Sequence, residues 1–400
     1  MRLSGVQTNS TLKTKAGRRA VFEREFDLLL AAARTTPDAA RIDALAAGGV
    51  DWRALLDLAT VHGVRPLVYK SLHETCWERI PADVQSAWDE VQRMITGRNL
   101  FLTGELLRVT DELGKAGLSV AAMKGAVIAQ MAYDDFTLRE FSDIDLLVRP
   151  GDFSRAVDLI ARLGYRPVWK YEYEKTFRFL RHVGEYTLRS DFTDADIDLH
   201  WRVATKATAL SPSLSDFPTG FQPLSIAGST VLTFAPQDLP LYLAAQGGWD
   251  RWADLRRISD LAEFLRRYPE VDWEPHFQTA RRLGGLRSMW TGLALAHQLL
   301  GAALPGSAVG HIQADTTMRG LIERTTRELR QQQSSGEAAR RYLFQMRAKK
   351  GLPGKTALAW SILTDRTAKD GLWLMLPPAL WWLYPVLRPL RMGRKRLWGG

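Results

Sequence analysis

Two aspartates alternate with apolar residues in a short segment near the middle of this 400-residue chain. The segment, residues 141–148, has the sequence Phe-Ser-Asp-Ile-Asp-Leu-Leu-Val, and its apolar, β-branched content predicts a strand. Successive side chains of a strand point to opposite faces, so Asp143 and Asp145 share one face while their apolar neighbours face the core. Two adjacent carboxylates repel each other, and a hard cation such as Mg²⁺ would neutralise them. The alternative is an edge strand whose two acids are solvated.

The residues just upstream predict a phosphate-binding turn between a strand and a helix. Residues 118–123 predict a short buried strand and residues 126–133 a helix, with Lys124 and Gly125 at the turn between them. A glycine at such a turn lets the backbone approach a ligand closely, and the free N–H groups of a helix N-terminus attract an anion. Lys124 adds a positive charge. This unit, together with the aspartate strand, could hold a triphosphate and its metal.

A second acidic strand is predicted at residues 194–202. By the same alternation Asp196, Asp198 and His200 share a face, and either aspartate could supply a third carboxylate to a site of the kind that holds two metals about 3.5–4 Å apart. His200 could position substrate or donate a hydrogen bond to Asp198. A solvated edge strand is again the alternative.

If the two acidic strands are neighbours, their carboxylates converge and repel one another when no metal is bound. Replacing Asp143 or Asp145 with Asn should then preserve or slightly raise the stability of the metal-free protein.

These motifs together resemble a known family. The Met-Lys-Gly run at 123–125, then Arg139 four residues ahead of the Asp-Ile-Asp-Leu-Leu-Val run at 143–148, resembles the L-K-G … R-x-x-x-D-I-D-L-L-V signature of a bacterial nucleotidyltransferase family of uncharacterised function. That family belongs to the DNA polymerase beta-like nucleotidyltransferase superfamily. The resemblance covers about residues 117–202 and extends more weakly to about 267. It implies an enzyme that moves a nucleoside monophosphate from an NTP to an acceptor hydroxyl.

The resemblance also implies a role for each residue of the motifs. The aspartate of the family's D-L-H-W motif is Asp198 here, which favours it over Asp196 as the third carboxylate. Catalysis and binding of Mg²⁺ or Mn²⁺ would rest on three aspartates: Asp143, Asp145 and Asp198. The nucleotide would be bound by three neighbouring residues: Lys124, Gly125 and Arg139. Arg139 has bracing of the strand as its alternative role.

Two positions differ from the family pattern, and one downstream segment matches it. Ala126 replaces the serine of the superfamily's usual Gly-Ser turn, and the histidine that the family commonly has near Gly247 is absent. Residues 249–261 resemble the segment after the family's sheet, where a tryptophan and a later aspartate recur. The matching Asp260 is expected either to face the cleft or to form a surface ion pair with a neighbouring arginine.

Two other functions are compatible with the motifs. A metal-dependent glycosyltransferase also uses a D-x-D motif to hold a nucleotide diphosphate, although the Lys-Gly turn and Asp198 favour nucleotidyl transfer. A degenerate nucleotidyltransferase domain would bind a nucleotide without catalysis. The acceptor cannot be inferred from these residues.

The predicted strands and helices around these residues indicate an α+β fold. It would consist of a small mixed nucleotidyltransferase-type sheet with flanking helices, placed between mainly helical regions. We predict five segments: a disordered basic leader (1–20), a helical N-terminal region (21–116), the nucleotidyltransferase core (117–234), a helical domain (235–350), and an apolar, Trp-rich and basic C-terminal segment (351–400).

The net charge indicates which classes of partner the protein could bind, and the cysteine content indicates its cellular compartment. A net charge of +10 favours phosphate-rich partners such as nucleotides or an anionic membrane surface. The basic residues are scattered and match no nucleic-acid-reading motif, which disfavours nucleic acid. The single cysteine, Cys76, permits no intramolecular disulfide and indicates a reducing compartment such as the cytoplasm.

The C-terminal segment carries an uncharged, Trp-rich run at residues 371–387, followed by several arginines. Tryptophans beside basic residues are typical of a membrane interface, so the protein could be peripheral to the inner face of the membrane. Packing of the segment against the helical domain is the alternative.

Overall fold

A computed structural model gives the fold of the chain and describes residues 15–168, 178–179, 184–306, 308–331, 337–388 and 390. Within these residues, one seven-stranded mixed sheet lies between an N-terminal and a C-terminal set of helices. The predicted α+β class is therefore confirmed.

Helices precede the sheet, as the apolar spacing of this region predicts. They are α1 (Lys15–Ala32), α2 (Ala39–Ala46), α3 (Trp52–His62), α4 (Arg65–Thr75) and α5 (Ala82–Lys115). Asp51 caps α3, since its carboxylate accepts a hydrogen bond from the backbone N–H of Ala54 at 3.0 Å. Most of the predicted leader lies outside the described residues, and α1 begins within it, at Lys15.

The strands of the sheet are β1 (Ala121–Met123), β2 (Ile144–Leu147), β3 (Tyr165–Pro167), β4 (Glu185–Ser190), β5 (Asp196–His200), β6 (Phe221–Ile226) and β7 (Ser229–Phe234). Their order across the sheet is β3-β4-β5-β2-β1-β7-β6. β2 runs parallel to β5 and β1 runs parallel to β7, while the other neighbours are antiparallel. β6 and β7 are consecutive in sequence and form an antiparallel hairpin. The two acidic segments thus lie side by side at the centre of the sheet.

Two helices connect the early strands. α6 (Gly125–Ile128) follows β1 and continues as a π-helical turn at Ala129–Tyr133. α7 (Phe153–Arg162) follows β2 and buries the apolar side chains at its helical spacing against the sheet. The strand–turn–helix unit predicted around residue 125 is present.

The helices after the sheet are α8 (Leu239–Trp249), α9 (Leu255–Arg267), α10 (Glu274–Arg282), α11 (Leu286–Leu300), α12 (Ala308–Ala314), α13 (Thr316–Gln331), α14 (Glu337–Ala348), α15 (Leu352–Thr364) and α16 (Ala368–Trp373). In the described part of the chain, none of the helices combines the length and the apolar content needed to cross a bilayer.

A buried tryptophan leaves no room for a side chain at residue 247. Trp252 is fully buried, and its indole N–H donates to the backbone carbonyl of Ser288 at 3.1 Å. A Cβ at Gly247 would lie 2.2 Å from the Trp252 ring, and one at Gly292 would lie 2.1 Å from it. The indole therefore occupies the space that a side chain at residue 247 would need.

His62, at the end of α3, should make stability depend on mildly acidic pH. It is buried against Phe26, with the ring centroids 5.7 Å apart, and burial lowers the pKa of its imidazole to about 4. Below about pH 6.5 the unfolded histidine binds a proton that the folded one takes up only near pH 4. The free energy of unfolding should therefore fall as the pH drops through this window, by up to about 3 kcal/mol.

Urea unfolding between pH 7 and pH 4 measures this effect. His62→Gln should lose less stability than wild type over the window, whereas the matched variant of the exposed His73, His73→Gln, should follow wild type. Equal losses in wild type and His62→Gln would assign the pH dependence to other groups.

Candidate active site

The parallel pairing of β2 and β5 brings the two acidic segments together. Asp145 lies directly opposite Asp198, and Leu147 lies opposite His200. Side chains at paired positions point to the same face of a sheet. The strand neighbourhood on which the sequence prediction depended is thus present, although β2 itself begins one residue after Asp143.

Three side chains form a compact group on this face. One ligand atom from each of Asp145, Asp198 and His200 lies within 4.8 Å of the other two. The Asp198 carboxylate also accepts a hydrogen bond from the Thr187 hydroxyl, on β4, at 2.6 Å. The group is held by three neighbouring strands, which fixes its geometry more firmly than loops would.

His200 contacts a different aspartate from the one that the sequence suggested. Its Nε2 lies 2.9 Å from Oδ1 of Asp145, whereas a hydrogen bond to Asp198 was expected. The parallel register sets Asp145 level with Asp198, and the imidazole, two residues further along β5, reaches across to the neighbouring strand. From the sequence, His200 was expected to have a secondary role, either in positioning substrate or as a hydrogen-bond donor to Asp198. Its position two residues after Asp198 on the same strand face already indicated that it belongs to the same group.

Asp143 lies outside this compact group. It is half-buried just ahead of β2. Burial raises the pKa of its carboxyl group, and the negative charge of Asp145 raises it further. The charge of Asp145 thus affects the ionisation of Asp143. The three converging ligand atoms, however, belong to Asp145, Asp198 and His200.

Lys124 neutralises Asp145, the most deeply buried carboxylate of the candidate site. The Asp145 side chain is only 1 % exposed, and Lys124 Nζ forms an ion pair with its Oδ1. Burial alone would raise the pKa of Asp145, but Lys124 and His200 outweigh burial and hold the pKa well below its ordinary value. The ion pair likewise keeps the Lys124 ammonium protonated despite its burial.

The turn that carries Lys124 has an unusual backbone. Lys124 has φ +43° and Gly125 has φ +37°, and a lysine in this region costs on the order of 1–3 kcal/mol. A Cβ on Gly125 would lie 3.5 Å from both the backbone carbonyl of Asp143 and the Phe141 ring, so the two loops run close together. Such strain concentrates at functional sites, and here it places the ammonium beside Asp145.

Arg139 lies in a buried ion pair. Its Nε and Nη2 donate to the two carboxylate oxygens of Asp260, on α9, at 2.8 and 3.0 Å, and the Tyr133 hydroxyl donates to the same carboxylate at 2.9 Å. Because Asp260 occupies this face of the guanidinium, the geometry favours bracing over phosphate contact. Neither expectation for Asp260 holds, since it is buried and pairs with Arg139, not with an arginine of its own helix.

Asp196, the alternative third carboxylate, is engaged elsewhere. It accepts two hydrogen bonds of 2.8 Å from Arg189, which lies opposite it on β4. The compact group includes Asp198 and not Asp196.

The donor set fits a divalent metal. Oδ2 of Asp145 is buried and has no hydrogen-bond partner among the described residues, which is costly for a carboxylate oxygen. Two carboxylates and an imidazole are ordinary ligands for Mn²⁺ and related ions, and carboxylates alone suit Mg²⁺. Asp145, Asp198 and His200 could therefore hold a cation, and the unpaired Oδ2 of Asp145 would be one of its ligands.

Comparison with known proteins identifies a family. A family model described as an uncharacterised nucleotidyltransferase matches residues 48–301. The search of curated proteins finds no match. Among solved structures, the chain is similar to the antibiotic-resistance factor ANT(2'')-Ia at 18 % identity and a TM-score of 0.26, over 55 % of this chain and 98 % of that one. Because the family model spans more than half of the chain and covers every residue of the candidate site, the protein belongs to the uncharacterised nucleotidyltransferase family.

Proposed function

We propose that the protein transfers a nucleoside monophosphate from an NTP to the hydroxyl group of an acceptor, with Mg²⁺ or Mn²⁺ as cofactor. Membership of the family makes it a nucleotidyltransferase, and the proposal adds the metal and the residues. One observation supports it above all, the direct pairing of Asp145 with Asp198 beside His200 at the centre of the sheet.

In this proposal each polar residue has a distinct role. A divalent metal held by Asp145, Asp198 and His200 would supply positive charge for the triphosphate. Asp198 would orient the acceptor hydroxyl and accept its proton, and burial supports this role because it raises the pKa of the carboxyl group and makes it a better base. Asp143, half-buried just ahead of β2, would complete the carboxylate set when substrate is bound.

Lys124 and the Gly125 backbone would hold the phosphates. The ammonium neutralises Asp145 in the structure. It would exchange this carboxylate for a phosphate oxygen once nucleotide and cofactor are in place, because the charge of Asp145 would then be balanced by the cofactor. Arg139 is left out of the nucleotide site, since its guanidinium pairs with Asp260.

The other two functions have less support. A glycosyltransferase does not agree with membership of a nucleotidyltransferase family. A non-catalytic nucleotide-binding module would account for Ala126 in place of serine, but it would not require Asp145 and Asp198 to be paired with a histidine beside them.

Incubation of the protein with each α-labelled NTP, Mg²⁺ or Mn²⁺ and a cell extract would test the proposal and identify the acceptor. Label should move to a component of the extract, and pyrophosphate should be released in equal amount. Asp196→Asn serves as the active control. Hydrolysis to a nucleoside diphosphate, or nucleotide binding without any transfer, would contradict the proposal.

Lys124→Ala should weaken NTP binding by about 1–3 kcal/mol, the range for a hydrogen bond to a charged group. It should also destabilise the nucleotide-free protein, because Asp145 would lose the cation that neutralises it. Calorimetric titration with NTP and Mg²⁺ measures the first effect and thermal unfolding the second. The exposed Lys115 provides the matched control, Lys115→Ala. A folded Lys124→Ala protein with unchanged NTP affinity would rule out the phosphate role.

A further inference from the structure

Large apolar side chains are exposed mainly near the end of the chain. More than half of the exposed large hydrophobic side chains among the described residues lie between residues 352 and 390. We define the C-terminal face by six of them: Leu352, Trp360, Leu363, Trp382, Val386 and Leu390. Trp360 is 70 % exposed and Trp382 is 69 % exposed. A large side chain left this open in a folded protein points to a binding surface when it belongs to a contiguous patch.

Helix α15 contributes the first half of this face. Leu352, Trp360 and Leu363 are exposed, and together with exposed Thr356 they recur at the spacing of one helical face. Lys355 is the helix's single charged residue and is half-buried beside these positions, whereas Leu358, on the other side, is buried. An exposed helical face with so few charges is atypical of a water-facing surface, where polar and charged residues normally lie.

The final segment contributes the second half and is fixed against α15. The Arg388 guanidinium donates to the backbone carbonyls of Ile362 and Asp365 at 2.8 and 2.7 Å. The buried Tyr384 hydroxyl donates to the carbonyl of Leu374 at 2.6 Å. Trp382, Val386 and Leu390 are left exposed by this packing. The last residues of α15 and the segment around Arg388 thus lie side by side, and each exposes apolar side chains.

The residues that follow indicate the charge of the partner. Arg391, Arg394, Lys395 and Arg396 come directly after the face in sequence, and residues 391–400 contain no acid. Tryptophan is enriched at the interface between lipid headgroups and acyl chains, and adjacent basic residues bind anionic headgroups. Each copy of the chain carries these basic residues and a net charge of +10, so like-charge repulsion opposes the pairing of two copies.

From these observations we propose that the C-terminal face docks on the surface of an anionic lipid bilayer. The exposed tryptophan and aliphatic side chains enter the headgroup region, and the basic residues after Leu390 contact lipid phosphates. The segment lies on the membrane and does not cross it, in agreement with the absence of a membrane-spanning helix among the described residues. This site is separate from the nucleotidyl-transfer site and does not depend on the function proposed for it.

Flotation of the full chain with two kinds of vesicle would test the proposal. The protein should float with phosphatidylglycerol–phosphatidylcholine vesicles at low salt and stay in the soluble fraction with phosphatidylcholine alone. Trp360→Ser combined with Trp382→Ser should weaken binding about tenfold or more, because two apolar contacts are lost. Leu100→Ser, at an exposed leucine of α5, should bind as wild type does. A chain ending at Leu390 should lose most of its preference for the anionic vesicles.

Circular dichroism and thermal unfolding establish that each variant is folded. Failure of the full chain to bind anionic vesicles at low salt would overturn the proposal. Binding that is unchanged in the double tryptophan variant would do the same. If the full chain instead forms a dimer that the double variant disrupts, and vesicles do not bind, the face is an interface between two copies and the membrane proposal is wrong.

Discussion

Asp198→Asn is expected to lower the rate of nucleotidyl transfer by about 10²–10⁴-fold, because it removes the carboxylate assigned to the acceptor hydroxyl. The fold should persist. Burial and the nearby charge of Asp145 already disfavour the ionised form of Asp198, and asparagine keeps an oxygen that can accept the hydrogen bond from Thr187. Nucleotide binding through Lys124 should be retained in part. Initial rates and a calorimetric NTP titration measure the two effects separately.

Asp196→Asn is the matched control, since it removes a carboxylate two residues away on the same strand. Asp196 pairs with Arg189, so its loss should leave the transfer rate close to wild type. Direct Mn²⁺ binding, followed by electron paramagnetic resonance, should weaken in Asp198→Asn and not in Asp196→Asn. The opposite pattern would shift the third carboxylate by two residues along β5.

The structure changes the expectation for the other two aspartates. Asp143→Asn should preserve or slightly raise the stability of the metal-free protein, because burial and the charge of Asp145 both disfavour the Asp143 carboxylate. For Asp145→Asn the structure predicts a loss of stability instead. Asp145 neutralises Lys124 and contacts His200, so its replacement would leave a partly buried ammonium without its counter-charge.

Asp260→Ala is expected to lower the free energy of unfolding by about 3–5 kcal/mol, the usual cost of removing one partner of a buried ion pair. Arg139 is 8 % exposed and Asp260 is 2 % exposed. Without the carboxylate, the Arg139 guanidinium would be buried with an uncompensated charge, and the Tyr133 hydroxyl would lose its acceptor. Because the pair joins the loop ahead of β2 to α9, transfer activity should fall as well.

Denaturant unfolding of single and double variants distinguishes the ion pair from other causes. Arg139→Met combined with Asp260→Leu should recover much of the lost stability, since apolar replacements of a buried pair are often neutral. Arg189→Ala, in the more exposed pair with Asp196, should change stability by at most about 1 kcal/mol. If Asp260→Ala and Arg139→Ala kept full stability but lost NTP affinity, Arg139 would be a phosphate-binding residue after all.

The alternation of side chains along a strand was sufficient to predict which residues of the site share a face. It placed Asp198 with His200, because the two-residue period is a property of each strand by itself. It could not give the register between β2 and β5, which sets Asp145 opposite Asp198 and lets His200 reach Asp145. A turn fixes the register of a hairpin, but β2 and β5 are parallel and are separated in sequence by β3 and β4, so no turn between them sets theirs.

Ion pairs between residues far apart in the chain also could not be predicted from the sequence. Lys124 was predicted to lie near phosphate from the turn that it occupies, but its pairing with Asp145 depends on how β1 and β2 are aligned. Asp260 was expected to pair locally because arginines stand beside it in its own helix. The buried face of α9 turns it towards Arg139 instead, and burial is decided by tertiary packing.

The sequence separation of these contacts has a consequence for how the site is assembled. Asp145 and His200 are 55 residues apart, and Arg139 and Asp260 are 121 apart, so neither contact can form early from local structure. Closing longer loops costs more conformational entropy, and contacts of high separation slow folding. During synthesis the β1–β2 hairpin can form well before β5 emerges, and the Arg139 pair must wait for α9. Catalytic competence should therefore be among the last properties that a newly made chain acquires.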